Sequence, residues 1–382
     1  MITRRLSTII ENKLYQGKAI ILIGARQVGK TTLLKQLASK ITHPVLFLNC
    51  DEPDVRQYLT QTTSSQLRQL LGSHKVVMID EAQRVQDIGL TLKLIIDQLP
   101  QVQLLVSGSS ALELANQINE PLTGRKYEYY LYPLAYSELC QQFGLLEEKR
   151  LLEQRLIYGT YPDIVMQPNN KLELLTQLAS SYLYKDVFNY QDIRKPELLP
   201  LLLEALALQL GSEVSYHELA QMLGSDQQTI RRYIDLLEKA MVIFRLRAFS
   251  RNVRNELKKS RKFYFYDNGI RNALIRNFNP LALRVDTGAL WENYLVVERM
   301  KRNAYNGYYC HHYFWRTRQQ QEIDYLEEYG GRLFAYEFKW NPKSKAKFPK
   351  TFIKAYPDSQ QLLITPDNFQ DFLGQPQYLY IS

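Results

Sequence analysis

The chain has 382 residues and a mass of 44.9 kDa, too much for one ordinary hydrophobic core, so two or three domains are expected. Hydrophobic residues at 45% against 23% charged exclude a chain disordered throughout and a collagen-like or mucin-like one. The formal charge of +9 admits a polyanionic partner without requiring one.

No apolar run approaches the roughly 20 residues that span a bilayer. Residues 1–24 lack an apolar stretch followed by a small-residue cleavage site, so neither a membrane anchor nor a secretory signal is expected. Cys50, Cys140 and Cys310 are odd in number and far apart. That argues against a disulfide framework and for a reducing, cytoplasmic location.

In chain order, short aliphatic or β-branched runs at 19–23, 45–49, 76–79, 104–106 and 127–131 alternate with helical stretches at 31–40, 54–71 and 89–99. Buried strands separated by helices predict a parallel α/β sheet covered on both faces. From Leu134 to about Asp192 the apolar spacing is helical, as at Leu151, Leu152 and Leu156, and Pro196 and Pro200 mark a change. A compact helical segment runs to about Leu237 and a strand follows at 241–249. The last third, rich in Tyr, Trp and Phe, reads as mixed α+β.

The run Gly24-Ala-Arg-Gln-Val-Gly-Lys-Thr-Thr32 matches G-x-x-x-x-G-K-[ST] between a strand and a helix. Glycines let backbone N–H groups close around phosphates at a helix N-terminus. Gly24, Gln27, Val28, Gly29, Lys30, Thr31 and Thr32 are therefore assigned to ATP, with Lys30 on the β/γ-phosphates and Thr31 on Mg²⁺. The strand at 76–79 ends in Asp80, placed to hold Mg²⁺, and Glu81, placed to orient or deprotonate the attacking water. The next strand ends in a polar tip, where Ser109 is a candidate γ-phosphate sensor. Arg125, in a glycine-punctuated loop, is either an arginine finger for a neighbouring subunit or a surface arginine paired with Glu120 or Glu128. Arg26 and Arg84 are weaker candidates for the finger.

Two capping boxes in tandem, at Ser215 with Glu218 and at Ser225 with Gln228, predict two helices joined by a turn at Gly224. With the strand after them they form the pattern of a winged helix-turn-helix. The second helix would expose Gln227, Gln228, Arg231 and Arg232 to DNA, although such modules also serve as protein contacts or packed lids. Residues 245–262, including Arg251 and Arg254, carry eight cations against one acid where a wing would lie. Further on, Glu292, Asp324 and Glu337 are candidate metal ligands, with Lys339 on the same strand face as Glu337. The alternative is unrelated surface charge on a half-exposed sheet. Cys310-His311-His312 has no second Cys/His pair at zinc spacing and is read as structural. The segment 339–354 holds six lysines and no acid.

Taken in order, segments 24–33, 76–84, 107–111, 122–125, 263–274, 288–298, 322–324 and 336–339 resemble a prokaryotic family of AAA-type P-loop ATPases. Its members add a winged helix and a C-terminal domain like the PD-(D/E)XK nucleases. The resemblance implies an ATPase core at 1–135, a helical lid at 136–195, a winged helix at 196–266 and an α+β, restriction-endonuclease-like domain at 267–382. It also implies ATP and Mg²⁺ as cofactors, Arg125 acting in trans, and a homo-oligomer, with a hexameric ring as the expected form. Glu292, Asp324, Glu337 and Lys339 would form the nuclease-like site. The expected function is a DNA-binding ATPase that translocates or remodels DNA, branched or junction DNA included, with a coupled nuclease. The rivals are an ATP-dependent scaffold that docks a protein and a metal-dependent nuclease gated by the ATPase.

Overall fold

The computed structural model describes residues 2–108, 114, 118–182, 195–250, 261–345 and 347–374. Strands β1 (Ala19–Ile23), β2 (Val45–Asn49), β3 (Val76–Asp80), β4 (Gln103–Gly108) and β5 (Lys126–Tyr130) form one sheet in the order β2-β3-β4-β1-β5. Every pairing in it is parallel. Strands β1, β3 and β4 are buried at every residue, which their unbroken aliphatic runs require when a sheet is covered on both faces. The connecting helices are α2 (Lys30–Lys40), α3 (Pro53–Leu59), α4 (Ser64–Leu71) and α5 (Ile88–Gln98), with α1 (Arg5–Glu11) preceding the sheet. The stretch 54–71, expected as one helix, is two. The chain turns extended at Thr60, and Thr63 starts α4 through a reciprocal capping box with Gln66.

Short helices from Tyr136–Phe143 to Lys171–Gln177 lead to α6 (Leu198–Leu208), β6 (Glu213–Val214), α7 (Tyr216–Met222) and α8 (Gln227–Lys239). Ser215 caps α7 as expected, accepting the Glu218 N–H at 3.4 Å. The cap of α8 is Asp226 rather than Ser225: its carboxylate accepts the Thr229 N–H at 2.8 Å. An anion there also meets the positive end of the helix. Strands β7 (Ile243–Ala248) and β8 (Arg261–Phe265) follow as an antiparallel ribbon, with β6 on the far side of β8.

The last third supplies α9 (Thr287–Tyr305) and strands β9 (His311–Arg316), β10 (Glu322–Tyr329), β11 (Arg332–Phe338) and β12 (Gln360–Ile364). These strands continue the ribbon into a seven-stranded sheet ordered β12-β11-β10-β9-β7-β8-β6. The join is parallel, with Arg247 opposite Tyr313 and Ala248 opposite Phe314. Helix α9 fastens it from one face, because the Asn293 amide accepts the Phe265 N–H at 2.8 Å and donates to the Phe265 carbonyl at 3.0 Å. Among the described residues, no helix is long and apolar enough to cross a membrane.

A fragment of residues 267–382 lacks every strand on one side of β9 and the backbone partner of Asn293. We expect it to lose cooperative unfolding, measured by circular dichroism and amide dispersion. A sharp melt of the isolated fragment would contradict the shared sheet as a folding unit.

Candidate nucleotide site and acidic centre

Strand β1 ends at Ile23 and α2 begins at Lys30, so residues 24–29 wrap the N-terminus of α2. A β-carbon on Gly24 would lie 2.5 Å from the Leu131 carbonyl oxygen, and Gly29 has φ +96°, so both positions need glycine. Gln27 also sits in the left-handed region, at φ 60°. Lys30 is only 5% exposed, and its Nζ donates to the Gly24 and Ala25 carbonyls, both at 2.9 Å. The ammonium is thus held inside the loop.

Thr31 Oγ1 donates to Asp80 Oδ2 at 2.6 Å. The other Asp80 oxygen accepts the Ser107 hydroxyl and, at 3.2 Å, the Glu81 N–H. Ser107, buried at the end of β4, was not singled out from the sequence as Asp80's partner, while Ser109 lies outside the described residues. Glu81 is half-buried at φ 54°, a left-handed conformation rare for a side-chain-bearing residue. Its carboxylate accepts Gln83 Nε2 at 2.6 Å. The sheet therefore brings Lys30, Thr31, Asp80 and Glu81 to one end of β1 and β3.

Arg125 lies at the other end. Its carbonyl accepts the Ala19 N–H at 3.0 Å, beside the start of β1. A strand of this length rises about 16 Å before it reaches the phosphate loop. Its Nε bonds Asp97 Oδ1 at 2.8 Å, and neither Glu120 nor Glu128 is that partner. Glu128 instead takes Lys126 at 2.5 Å and the Tyr130 hydroxyl at 2.7 Å. Arg84 pairs with Asp51 at 2.5 Å.

The second constellation forms where α9, β10 and β11 meet. Lys339 Nζ lies 2.9 Å from Glu337 and 3.7 Å from Asp324. Asp324 also accepts the Phe338 N–H at 2.8 Å. Glu292, from α9, accepts the Tyr264 hydroxyl at 2.6 Å and Lys262 Nζ at 3.0 Å. Burial pushes the Glu292 carboxyl up to about 7, opposed by Lys262 and reinforced by the charge of Asp324. Burial and then Asp324 likewise raise Glu337 to about 7. The Lys339 ammonium is raised by Asp324 and Glu337 against the cost of burial. Glu292, Asp324, Glu337 and Lys339 thus share one electrostatic site.

Three further members come from positions that sequence reasoning did not assign to it. Lys262, 1% exposed on β8, bonds Glu292 and, at 2.5 Å, Glu322. Tyr264 points to the same side of that strand, and this period-two alternation was the available signal. The basic stretch 245–262 is therefore partly spent inside the molecule. Arg245 pairs with Asp235 at 2.7 Å and with Glu238, and the Arg261 guanidinium lies 4.4 Å over the Tyr216 ring. Arg247 is exposed, while Arg251 and Arg254 lie outside the described residues. On α8, Gln227, Gln228 and Arg231 are exposed and Arg232 is half-buried. Cys310, His312 and Glu327 place ligand-type atoms within 4.8 Å of one another. The Glu327 carboxylate, however, serves Arg299 at 2.9 and 2.7 Å and Asn303 at 2.8 Å.

Residues 16–140 match the family model described as an AAA domain. Two models described as domains of unknown function, DUF8612 and DUF4143, match residues 149–281 and 287–381. The N-terminal region is an AAA-type, ATP-binding P-loop domain. An uncharacterized protein of Mycobacterium tuberculosis is 27% identical over 335 residues, 86% of this chain and 72% of that protein. One of Haemophilus influenzae is 24% identical over 311 residues, covering 74% of each chain. Among solved structures, a Walker-type ATPase of Pyrococcus abyssi aligns with a TM-score of 0.52 at 15% identity. That alignment covers 72% of this chain and 96% of the ATPase, so the fold of the P-loop ATPases is shared.

The raised carboxyls give a pH test in metal-free buffer. Glu292 and Glu337 hold protons in the folded chain up to about 7 but release them near 4.5 when unfolded. Asp267, raised by burial to about 6, acts in the same direction. Their contribution is full below about pH 4.5 and is lost as pH rises through 7. Glu292→Gln should therefore gain melting temperature relative to the parent chain between pH 5 and 8. A difference that does not change with pH would refute the assignment.

Proposed function

We propose that the protein is a Mg²⁺-dependent ATPase that binds DNA and uses hydrolysis to translocate or remodel it, with the acidic centre as a coupled nuclease site. The observation that carries the ATPase half is the 2.6 Å contact between Thr31 and Asp80, beside an ammonium sequestered in the phosphate loop. A hydroxyl and a carboxylate so placed fit a hard divalent cation. Thr31 and Asp80 would hold Mg²⁺, which when bound supplies charge neutralisation at the β- and γ-phosphates. Lys30 binds the phosphates through its ammonium. Glu81 orients the attacking water and takes its proton, and Gln83 fixes the carboxylate's direction. Arg125 sits at the far end of the sheet from its own phosphate loop, so a finger role would require a neighbouring subunit, and with that role goes a homo-oligomer, a ring as its form.

Support for DNA comes from two surfaces. Helices α7 and α8 with the β7–β8 ribbon have the order of a winged helix and present Gln227, Gln228 and Arg231 to solvent. Beside the acidic centre, Lys343, Lys345, Lys347, Lys350 and Lys354 are all exposed. Arg251 and Arg254 join the first surface on sequence alone. Four carboxyl groups, Glu292, Glu322, Asp324 and Glu337, face Lys262 and Lys339, with Arg316 also on Glu322, and a divalent cation would take the place of the protons on Glu292 and Glu337. Glu292, Asp324 and Glu337 would hold it. The same internal lysines favour a second reading, in which the centre is a docking surface for a protein partner and cuts nothing.

The deciding experiment is the ATPase rate with and without single-stranded, duplex and branched DNA, for the parent chain, Lys30→Ala, Glu81→Gln and Asp324→Ala. Lys30→Ala and Glu81→Gln should each lower turnover by on the order of 100-fold or more, and DNA should stimulate the parent. Arg231→Ala should weaken DNA binding and lower its salt slope by about one. An ATPase indifferent to DNA, with no binding at low salt, would favour the docking reading instead.

A further inference from the structure

The back of the phosphate loop is held by a residue from the start of the chain. Arg4 immediately precedes α1, is 5% exposed, and spreads its guanidinium over three acceptors. Nη1 donates to the Val28 carbonyl at 2.6 Å, Nη2 to the Tyr132 carbonyl at 2.5 Å, and Nε to Glu138 Oε1 at 3.1 Å. Glu138 is fully buried and is itself fixed by the N–H groups of Arg5 at 2.8 Å and Ala135 at 2.9 Å. The fork is therefore braced from behind and cannot swing away from the loop without stranding a carboxylate.

The consequence for the loop follows from peptide geometry. A trans peptide is planar, and its C=O and N–H point in opposite directions. Drawing the Val28 carbonyl onto Arg4 therefore turns the Gly29 N–H to the opposite side of the loop. Gly29 is the residue whose φ of +96° lets the plane adopt this orientation, and Arg4 Nη1 is the nearest atom to its missing β-carbon, at 3.7 Å. A lysine would keep the positive charge for Glu138, but a single ammonium does not reproduce the planar fork.

The same guanidinium meets the C-terminal third. The Tyr305 side chain interacts with it electrostatically, and the Tyr305 hydroxyl accepts the Tyr132 N–H at 3.3 Å. Tyr305 ends α9, the helix that carries Glu292. One turn earlier on that helix Lys301 donates to the Leu134 carbonyl at 3.1 Å, and two turns earlier Glu298 accepts the Tyr136 N–H at 2.6 Å. Arg4 is thus fixed to the phosphate loop on one side and to segment 132–138 on the other.

We propose that Arg4 is a positioning residue for the nucleotide: by anchoring the Val28 carbonyl it aims the Gly29 N–H into the phosphate site. The proposal rests on the nucleotide reading of the loop and adds a residue outside the loop motif. The test compares Arg4→Lys with the parent chain by titration with a fluorescent ATP analogue in the presence of Mg²⁺. Steady-state ATPase kinetics and the melting temperature without nucleotide are measured alongside. We expect the dissociation constant and KM to rise about tenfold, with kcat changed less than KM and a nucleotide-free melt close to that of the parent.

Unchanged affinity and KM would overturn the proposal, as would a lowered melting temperature with intact affinity, since Arg4 would then only brace the fold. Should Arg4→Lys fail to fold, Arg4→Gln combined with Glu138→Gln removes the buried charge pair and is read in the same way. Lys30→Ala separates the two levels of the argument. If it binds the analogue like the parent, the loop reading itself fails. If it loses binding while the Arg4 variants keep it, only the role of Arg4 fails.

Discussion

Helix α9 is buried along nearly all of its length, yet it carries Glu298, Arg299, Lys301 and Arg302, each less than a tenth exposed. Moving an ion from water into a protein interior costs several kcal/mol unless a partner meets it. The helix therefore dictates what sits beside it. Arg299 takes Glu327 from β10, and Arg302 takes the Gly374 carbonyl near the end of the described chain. Lys301 and Glu298 satisfy each other and then reach segment 134–136 beyond the parallel sheet. Glu292, near the start of the helix, takes Lys262 and Tyr264 from β8. One buried helix thereby fixes the ATPase domain, the β7–β8 ribbon and the acidic centre against one another.

That constraint explains what could be read from the sequence. The phosphate loop was legible because its residues are consecutive and its chemistry is done by backbone that glycine permits. Asp80 was legible because it ends a strand whose every residue is buried. The single-helix reading of 54–71 failed because apolar periodicity runs on through a break that only the Thr63 cap reveals. The set Glu292, Asp324, Glu337 and Lys339 was recognised by its order along the chain, and the fold supplies the proximity.

Lys262 and Arg245 were misread for the opposite reason. A run of cations looks like one surface when charge is counted along the chain, but the partners of Lys262 lie on α9 and β10, the first of them 30 positions away. Arg4 gave no local signal. Its three acceptors are 24, 128 and 134 positions distant, and two of them are backbone carbonyls that no residue pattern reports. Arg125 offered two nearby glutamates in sequence, yet its partner, Asp97, comes from α5, 28 positions back. Topology rather than proximity along the chain chose each pairing.

The acidic centre and the phosphate loop solve opposite electrostatic problems with the same device. In the loop, the carbonyl dipoles of Gly24 and Ala25 help keep the Lys30 ammonium in place. In the centre, carboxylates outnumber ammonium groups, and burial keeps Glu292 and Glu337 partly protonated near neutral pH. A divalent cation entering there must displace protons, so its affinity rises with pH in the window where those carboxyls titrate. Lys262 belongs to the ribbon whose β7 carries Arg245, paired with Asp235 and Glu238 of α8, and it bonds Glu292 and Glu322 directly. Any displacement of the ribbon would move that ammonium relative to the carboxylates. The charge balance of the acidic centre is in this way tied to strand β8 of the ribbon as well as to α9, β10 and β11.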